Sequence, residues 1–552
     1  MSQAIQRKWW KEEVIYQIYP RSYKDSTGDG IGDIQGIISK LDYIKELGID
    51  IIWLSPVYQS PNDDNGYDIS DYYDIHPEFG TMADFDQLLN GVHDRGMRLI
   101  MDVVFNHSSD EHEWFEKSKQ STDNDYRDYY IWKKGVNGGP PNNWRSFFGG
   151  SAWEYDNTTD EYFLHLFTKK QPDLNWENPK VVKEVHDITR FWLDKGIDGF
   201  RMDVIPLISK RLDFADTDLE AFNDIVTHVY SNGPKVHEYI NDMCEKVLKH
   251  YDIMTVGEGP GITKDTGLDY VGHDRGELSM IFHLDHMFLG HGPLGKFDPV
   301  PYGWPEVKQI FQDWYDAMGD SGWISIFLDN HDFPRMVSRF GNDTIYREQS
   351  AKMLAILIMT MRGTPCIYQG TELGMTNVQF DNISDYRDVE THNYHKEFIS
   401  RGVSDADFLS RVHEHGRDNA RTPIQWNSDI NAGFSAGKPW IIANPNYKTI
   451  HAQECLDNKD SIFYFYKNLM DLRKQEKTLV YGEWQVIEQE SQDLYVYRRW
   501  DDCDSFYILL NHSDHHHIYN LDLSEHNLIL SNNSEHTDIL IPWEGRIYKR
   551  IN

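Results

Sequence analysis

The chain predicts an α/β fold: a (β/α)8 TIM barrel with a subdomain inserted after the third strand and a C-terminal antiparallel β-sandwich. Three observations carry it. Strand-like and helix-like segments alternate from the N-terminus. Three of the strand-like segments run into acids (199–203, 254–258 and 326–332). The pattern then changes near the C-terminus to short strands of period two.

The elements follow in order. Residues 14–19 read as a first strand. Residues 36–47 place Ile37, Ile38, Leu41, Ile44 and Leu47 at helical spacing, and Gly48 closes the helix. Residues 49–54 are continuously apolar, as a strand buried on both faces should be. A helix over 85–94 and a third strand over 98–105 come next. Residues 106–171, rich in Trp, Asn, Gly, Pro and Asp, are too long for an ordinary loop. They read as an inserted subdomain, with short strands such as 162–167. Alternation resumes with helix 181–195, strand 199–202, helix 236–250, strands 253–256 and 279–282, helix 307–318, strand 323–327, helix 349–360 and strand 366–368. A second excursion (371–460) precedes helix 462–473. Strands 484–487, 494–499, 506–510 and 539–541 then suggest the sandwich. The expected division is 1–105 and 172–477 for the barrel, 106–171 for the insert and 478–552 for the C-terminal domain.

Composition narrows the function. The 552 residues carry a formal charge of −35, which repels phosphate backbones and anionic lipid headgroups. No nucleic acid and no membrane is expected as partner, and a neutral substrate fits best. Aromatics, 14% of the chain, can serve as stacking platforms for sugar faces. Cys244, Cys366, Cys455 and Cys503 show no disulfide or metal spacing, so reduced thiols in a cytoplasmic protein are expected. Residues 1–10 contain no apolar leader core. The longest apolar stretch, 353–361, falls short of the ~20 residues of a membrane span. His515–His517 reads as a solvated turn. Acids at consecutive strand ends are how a barrel builds an active site, and two carboxyls at one sugar ring are what glycoside cleavage requires.

The segments Asp102-Val103-Val104-Phe105-Asn106-His107, Gly199-Phe200-Arg201-Met202-Asp203, Gly257-Glu258 and Phe327-Leu328-Asp329-Asn330-His331-Asp332 resemble the α-amylase superfamily, glycoside hydrolase family thirteen. Gln171-Pro172-Asp173-Leu174-Asn175-Trp176 and Arg417-Asp418-Asn419-Ala420-Arg421-Thr422-Pro423 are similar to its oligo-1,6-glucosidase and α-glucosidase branch.

Asp203 is the expected nucleophile of a retaining reaction. Arg201, two residues earlier on the same strand, points to the same face and would hold Asp203 ionised, although a purely structural Asp–Arg pair has the same signature. Glu258 is the expected general acid/base. It must be protonated to donate, which burial and the nearby Asp203 favour. The resemblance implies that Asp332 grips sugar hydroxyls in a distorted ring and that His107 and His331 donate to the same glucose. It also implies that Tyr67 stacks on that glucose, that Asp68 and Arg417 close the pocket around it, and that Phe167 and Gln171 line it. A closed pocket implies exo action.

Val204 after the nucleophile goes with α-1,6 bonds in the resembled branch, and Lys296 and Glu390 fall where contacts to the departing sugar lie. Pro260, where sucrose isomerases tend to have Phe, counts against isomerisation. His283 and Asp285 depart from the branch's Gln and Glu. Asp25, Thr27, Asp29, Ile31 and Asp33 alternate oxygens around glycines and predict a structural Ca2+; a metal-free Asp/Gly turn is the alternative. No organic cofactor is expected.

The leading expectation is a retaining exo-acting α-glucosidase preferring isomaltose-type oligosaccharides, working as a monomer or weak homodimer. Trehalose-6-phosphate hydrolysis, α-1,4 hydrolysis and sucrose-active transglucosylation or isomerisation stay open. A transporter-associated scaffold is the non-enzymatic alternative.

Overall fold

The computed structural model describes residues 7–217, 222–534 and 537–551. The expectation about a leader in residues 1–10 therefore falls partly outside them. Eight parallel strands are present: β1 (Ile15–Ile18), β2 (Ile51–Leu54), β3 (Arg98–Val104), β4 (Gly199–Asp203), β5 (Met254–Gly259), β6 (Met280–His283), β7 (Ser325–Ile326) and β8 (Thr364–Tyr368). Their order is β6-β5-β4-β3-β2-β1-β8-β7, and a parallel bridge between Ile281 and Ile324 joins the two edges into a barrel. β1, β2, β4 and β8 are buried at every position; β2 is apolar throughout, while β1 and β4 also bury Gln17, Arg201 and Asp203.

Local chemistry sets the surrounding helices. Thr81 and Asp84 form a capping box at the start of Met82–Asp94. Asn178 caps Pro179–Asp194, with Pro179 at the position where its missing N–H costs nothing. The expected helix over 36–47 is two helices, Ile34–Ile38 and Leu41–Leu47, with Asp33 capping the first and left-handed Gly48 ending the second. Gly199 opens β4 at φ +146°; a Cβ there would lie 1.9 Å from the Met254 carbonyl oxygen, so only glycine lets β4 and β5 run this close.

Between β3 and β4 the chain forms a three-stranded antiparallel sheet from Trp132–Lys133, Glu161–Leu164 and Trp153–Asp156. The excursion after β8 contains helices Val389–Ser400 and Asp405–His415, which the sequence reading left unassigned. At the C-terminus β9 (Glu483–Val486), β10 (Leu494–Trp500), β11 (Ser505–Asn511), β12 (His526–Ser531) and β13 (Gly545–Arg550) pair as an antiparallel sheet in the order β9-β10-β11-β13-β12. Tyr497, Ile508 and Ile547 join the barrel core, while Val496, Leu509 and Tyr548 pack with Leu540 of a separate two-stranded ribbon. No helix among the described residues is long and apolar enough to cross a membrane.

Candidate active site

The acids collect at the C-terminal end of the barrel. Met202 pairs with Gly257 across β4 and β5, so Asp203 and Glu258 stand side by side on neighbouring strands. The backbones of such neighbours lie on the order of 5 Å apart, and both side chains reach one guanidinium. One guanidinium joins them: Arg201 Nη1 donates to Asp203 Oδ1 (2.7 Å) and Asp102 Oδ1 (2.8 Å), and its Nη2 lies 2.7 Å from Glu258 Oε2. Burial pushes the Asp203 carboxyl well above the usual carboxylate range; Arg201 opposes this, and the Glu258 and Asp102 charges reinforce it.

Val204 follows at φ +33°, ψ +43°, a left-handed conformation that a β-branched residue rarely adopts. This turn aims its N–H at Glu258 Oε2 (3.1 Å). Strain of this kind costs on the order of 1–3 kcal/mol and persists where surrounding structure enforces it. Here it orients the acid directly after the nucleophile.

Asp332 lies in the loop beyond β7. Its Oδ1 accepts from Arg421 Nη2 (2.8 Å) and Arg417 Nη1 (3.2 Å), and its Oδ2 lies 3.0 Å from His331 Nε2. Burial pushes this carboxyl up, but His331, Arg417 and Arg421 outweigh it and hold Asp332 well below the usual range. The Gln17 amide nitrogen faces His331 Nδ1 at 2.8 Å, which leaves Nε2 to carry the hydrogen toward Asp332. Tyr67 stacks on the His331 ring (centroids 5.1 Å, planes 5° apart) and donates to Asp102 Oδ2. Burial lowers His107 to about 3, so its imidazole is neutral.

These groups open into a cleft with about 980 Å³ of free space, mouth included. Asp203, Glu258 and Asp332 all line it, as do Tyr67, His107, Phe167, Val204, Lys296, Glu390 and Arg417. Lys296 and Glu390 form an ion pair at 2.8 Å inside the cleft. Pro260 lines the cleft as well. Arg201, Gln171 and His331 do not line it; they lie behind it, each nearly or fully buried. Gln171 bridges Asp64 Oδ2 and His107 Nε2, both at 3.1 Å. His283 and Asp285 are outside the cleft, His283 stacked on Trp314 and Asp285 accepting from the Trp314 indole N–H.

Gln171 and His331, expected against the sugar, are thus corrected to positions behind the cleft wall, and a third expected residue is corrected too. Asp68 does not face the cleft: it is fully buried and accepts from the Ser60 hydroxyl and the Asp63 and Asp64 N–H groups, holding the loop together. Asp64 takes the expected place opposite Arg417, at 3.2 Å. The sequence reading also missed Asp388, which binds Arg417 Nη2 at 2.6 Å, and Phe148, over which the Arg417 guanidinium stacks at 4.4 Å. The DNGYD run offers acids on both sides of Tyr67, and no periodicity chooses between them.

The oxygen-rich first βα loop is closed on itself. Asp25 Oδ1 accepts from the Thr27 and Gly28 N–H groups, and its Oδ2 from Gly30 N–H and the Ser435 hydroxyl. Asp33 accepts from Ser26 and Gly36, and Asp29 from the Ile31 N–H. Among the described residues no group of three Asp, Glu, His or Cys side chains converges to hold a metal.

The α-amylase catalytic domain family matches residues 17–482, most of the chain and all of this site. The chain belongs to the α-amylase family. It is 52% identical to the oligo-1,6-glucosidase of Parageobacillus thermoglucosidasius, with 99% of each chain covered. It is 51% identical to that of Bacillus cereus, with 99% of this chain and 100% of the relative covered. The trehalose-6-phosphate hydrolase of Bacillus subtilis is 46% identical over 92% of this chain and 90% of the relative. Among solved structures, the trehalulose synthase of Pseudomonas mesoacidophila MX-45 superposes with a TM-score of 0.96 at 43% identity, covering 98% of this chain and 99% of that one. Like other α-amylase family hydrolases, this chain is a glycoside hydrolase acting on oligosaccharides.

Proposed function

We propose that the chain is a retaining, exo-acting α-glucosidase that removes α-glucose from the non-reducing end of small oligosaccharides, α-1,6-linked ones preferred. The carrying observation is the pair Asp203 and Glu258, bridged by Arg201 in a cleft that Arg417 closes at one end through Asp64, Asp332 and Asp388. A terminal glucose enters that end over Tyr67 and His107, and Asp332 accepts from its hydroxyls. Asp203 attacks the anomeric carbon as Glu258 protonates the departing oxygen, giving a glucosyl ester on Asp203. Glu258 then takes a proton from water, whose oxygen displaces Asp203 and yields α-glucose. Asp332, already held as an anion, favours the cationic transition state over the ground state.

Val204 on the cleft wall and full-length relatives named oligo-1,6-glucosidases support the α-1,6 preference. The two cations lining the cleft are already paired, Lys296 with Glu390 and Arg417 with Asp388, which disfavours an anionic sugar such as trehalose-6-phosphate. A scaffold would not need all three acids placed in one cleft. Rates on isomaltose, maltose, sucrose and trehalose-6-phosphate test the reading. Isomaltose should lead, and Asp203→Ala and Glu258→Gln should abolish turnover with the fold intact. Near-normal rates in either variant would overturn it.

The four cysteines are unpaired, which supports a cytoplasmic location. The charge of −35 supports a partner list without nucleic acid or membrane. A monomer or weak homodimer is proposed, to be checked by light scattering. A structural Ca2+ on the 25–33 loop is proposed from its oxygen pattern alone and requires its acids to turn inward. Added Ca2+ should raise Tm relative to chelator, and no change would remove the proposal.

A further inference from the structure

Beyond the catalytic cleft lies a second depression with about 1010 Å³ of free space, between the segments after β5 and β6 and residues 300–306. The two adjoin: Asn223, Phe288 and His291 line both. The far wall carries Tyr302, 36% exposed. Its ring is braced against the backbone of Gly290, where an added Cβ would lie 2.8 Å from the ring edge. Half-buried Phe288 lines both depressions and Tyr302 lines the second, so each offers an aromatic ring. The described lining holds the acids Asp285 and Glu306 and no Lys or Arg. Arg339 lies behind the surface, hydrogen-bonded to Tyr302; apolar rings with acceptors between them, and no Lys or Arg on the lining, match the alternating apolar faces and hydroxyl donors of a neutral sugar chain. They do not match a phosphorylated sugar or an anionic partner.

We propose that this trough holds the reducing-end glucosyl units of isomaltotriose and longer isomalto-oligosaccharides, with Tyr302 as the stacking platform. The proposal rests on the α-1,6 reading and adds a chain-length preference to it. The terminal glucose and its neighbour fill the catalytic cleft; later units cross Phe288 and lie against Tyr302. Longer substrates therefore gain contacts that isomaltose cannot make.

The test is kcat/KM on isomaltose, isomaltotriose and isomaltotetraose for the wild type, Tyr302→Ala and Tyr302→Phe. In the wild type kcat/KM should rise with length. Tyr302→Ala should lose about tenfold on isomaltotetraose and stay near wild type on isomaltose, and Tyr302→Phe, which keeps the ring, should retain the length effect. Equal losses on all three substrates would make Tyr302 a structural residue, and no loss on any would leave the trough unused; either overturns the proposal. Wild-type failure on isomaltose, seen before any variant is made, would overturn the linkage reading itself.

Discussion

Replacing Arg201 by Lys tests whether one guanidinium holds the reacting acids. Arg201 is 1% exposed, and its two terminal nitrogens serve Asp102, Asp203 and Glu258 together. A lysine ammonium keeps the charge but is a single nitrogen on a narrower reach, so it can satisfy one side of this fork. Losing two hydrogen bonds to charged groups, at about 1.5–3 kcal/mol each, removes about 3–6 kcal/mol. For a chain of this length melting as one unit, that is a fall in Tm of about 3–5 °C. The catalytic consequence is separate. Burial already drives the Asp203 carboxyl up, with Arg201 as the main opposing influence. Weakening that influence raises Asp203 further, so the acid limb of the kcat/KM profile on an aryl α-glucoside moves to higher pH, by about one unit for each 1.36 kcal/mol lost. Calorimetry and a pH–rate series on purified Arg201→Lys measure both. An unchanged Tm with an unchanged acid limb would mean that Arg201 is not the counter-charge these acids share.

Two further variants separate the neighbouring aspartates. Asp64→Ala removes the partner of Arg417 at the closed end of the cleft, so kcat/KM on isomaltose should fall by about ten- to a hundredfold; near-normal kinetics would return that place to another residue. Asp68 is pushed up to about 7, first by burial, from an ordinary value of 3.8. The folded state therefore keeps a proton that the unfolded chain releases. That contribution is present below about pH 4 and lost as pH rises through 7. Asp68→Asn, which cannot ionise, should gain on the wild type over that range by up to about 4 kcal/mol, read as a Tm difference that grows between pH 4.5 and 7.5. A difference independent of pH would contradict the buried-acid account.

The eight barrel strands were legible because most are short, largely apolar segments alternating with helical patterns, as burial on both faces favours, and three of them run into acids. The helix over 36–47 was read as continuous because Ser39 and Lys40, where it breaks, are compatible with a helix; the break is tertiary. β12 and β13 were missed: β12 is half-exposed on alternate positions, and β13 interleaves Arg546, Lys549 and Arg550 with its buried apolar residues, so neither reads as a clean alternation. In the site, acids on strands could be placed by motif and period, whereas acids in loops could not. Asp68 was chosen over Asp64, and Asp388 went unnoticed, because loop side chains carry no periodicity to show which way they face. Lys296 and Glu390, 94 positions apart, were found by resemblance, and only the folded chain shows that they are paired with each other.

The most direct test of the central claim is the anomer of glucose first released from isomaltose, followed by proton NMR before mutarotation. Asp203 and Glu258 beside one another predict α-glucose first, from two inversions at the anomeric carbon. β-Glucose appearing first would mean direct attack by water, which needs carboxyls about 6.5–9.5 Å apart, and would contradict the adjacent pair on which the account stands.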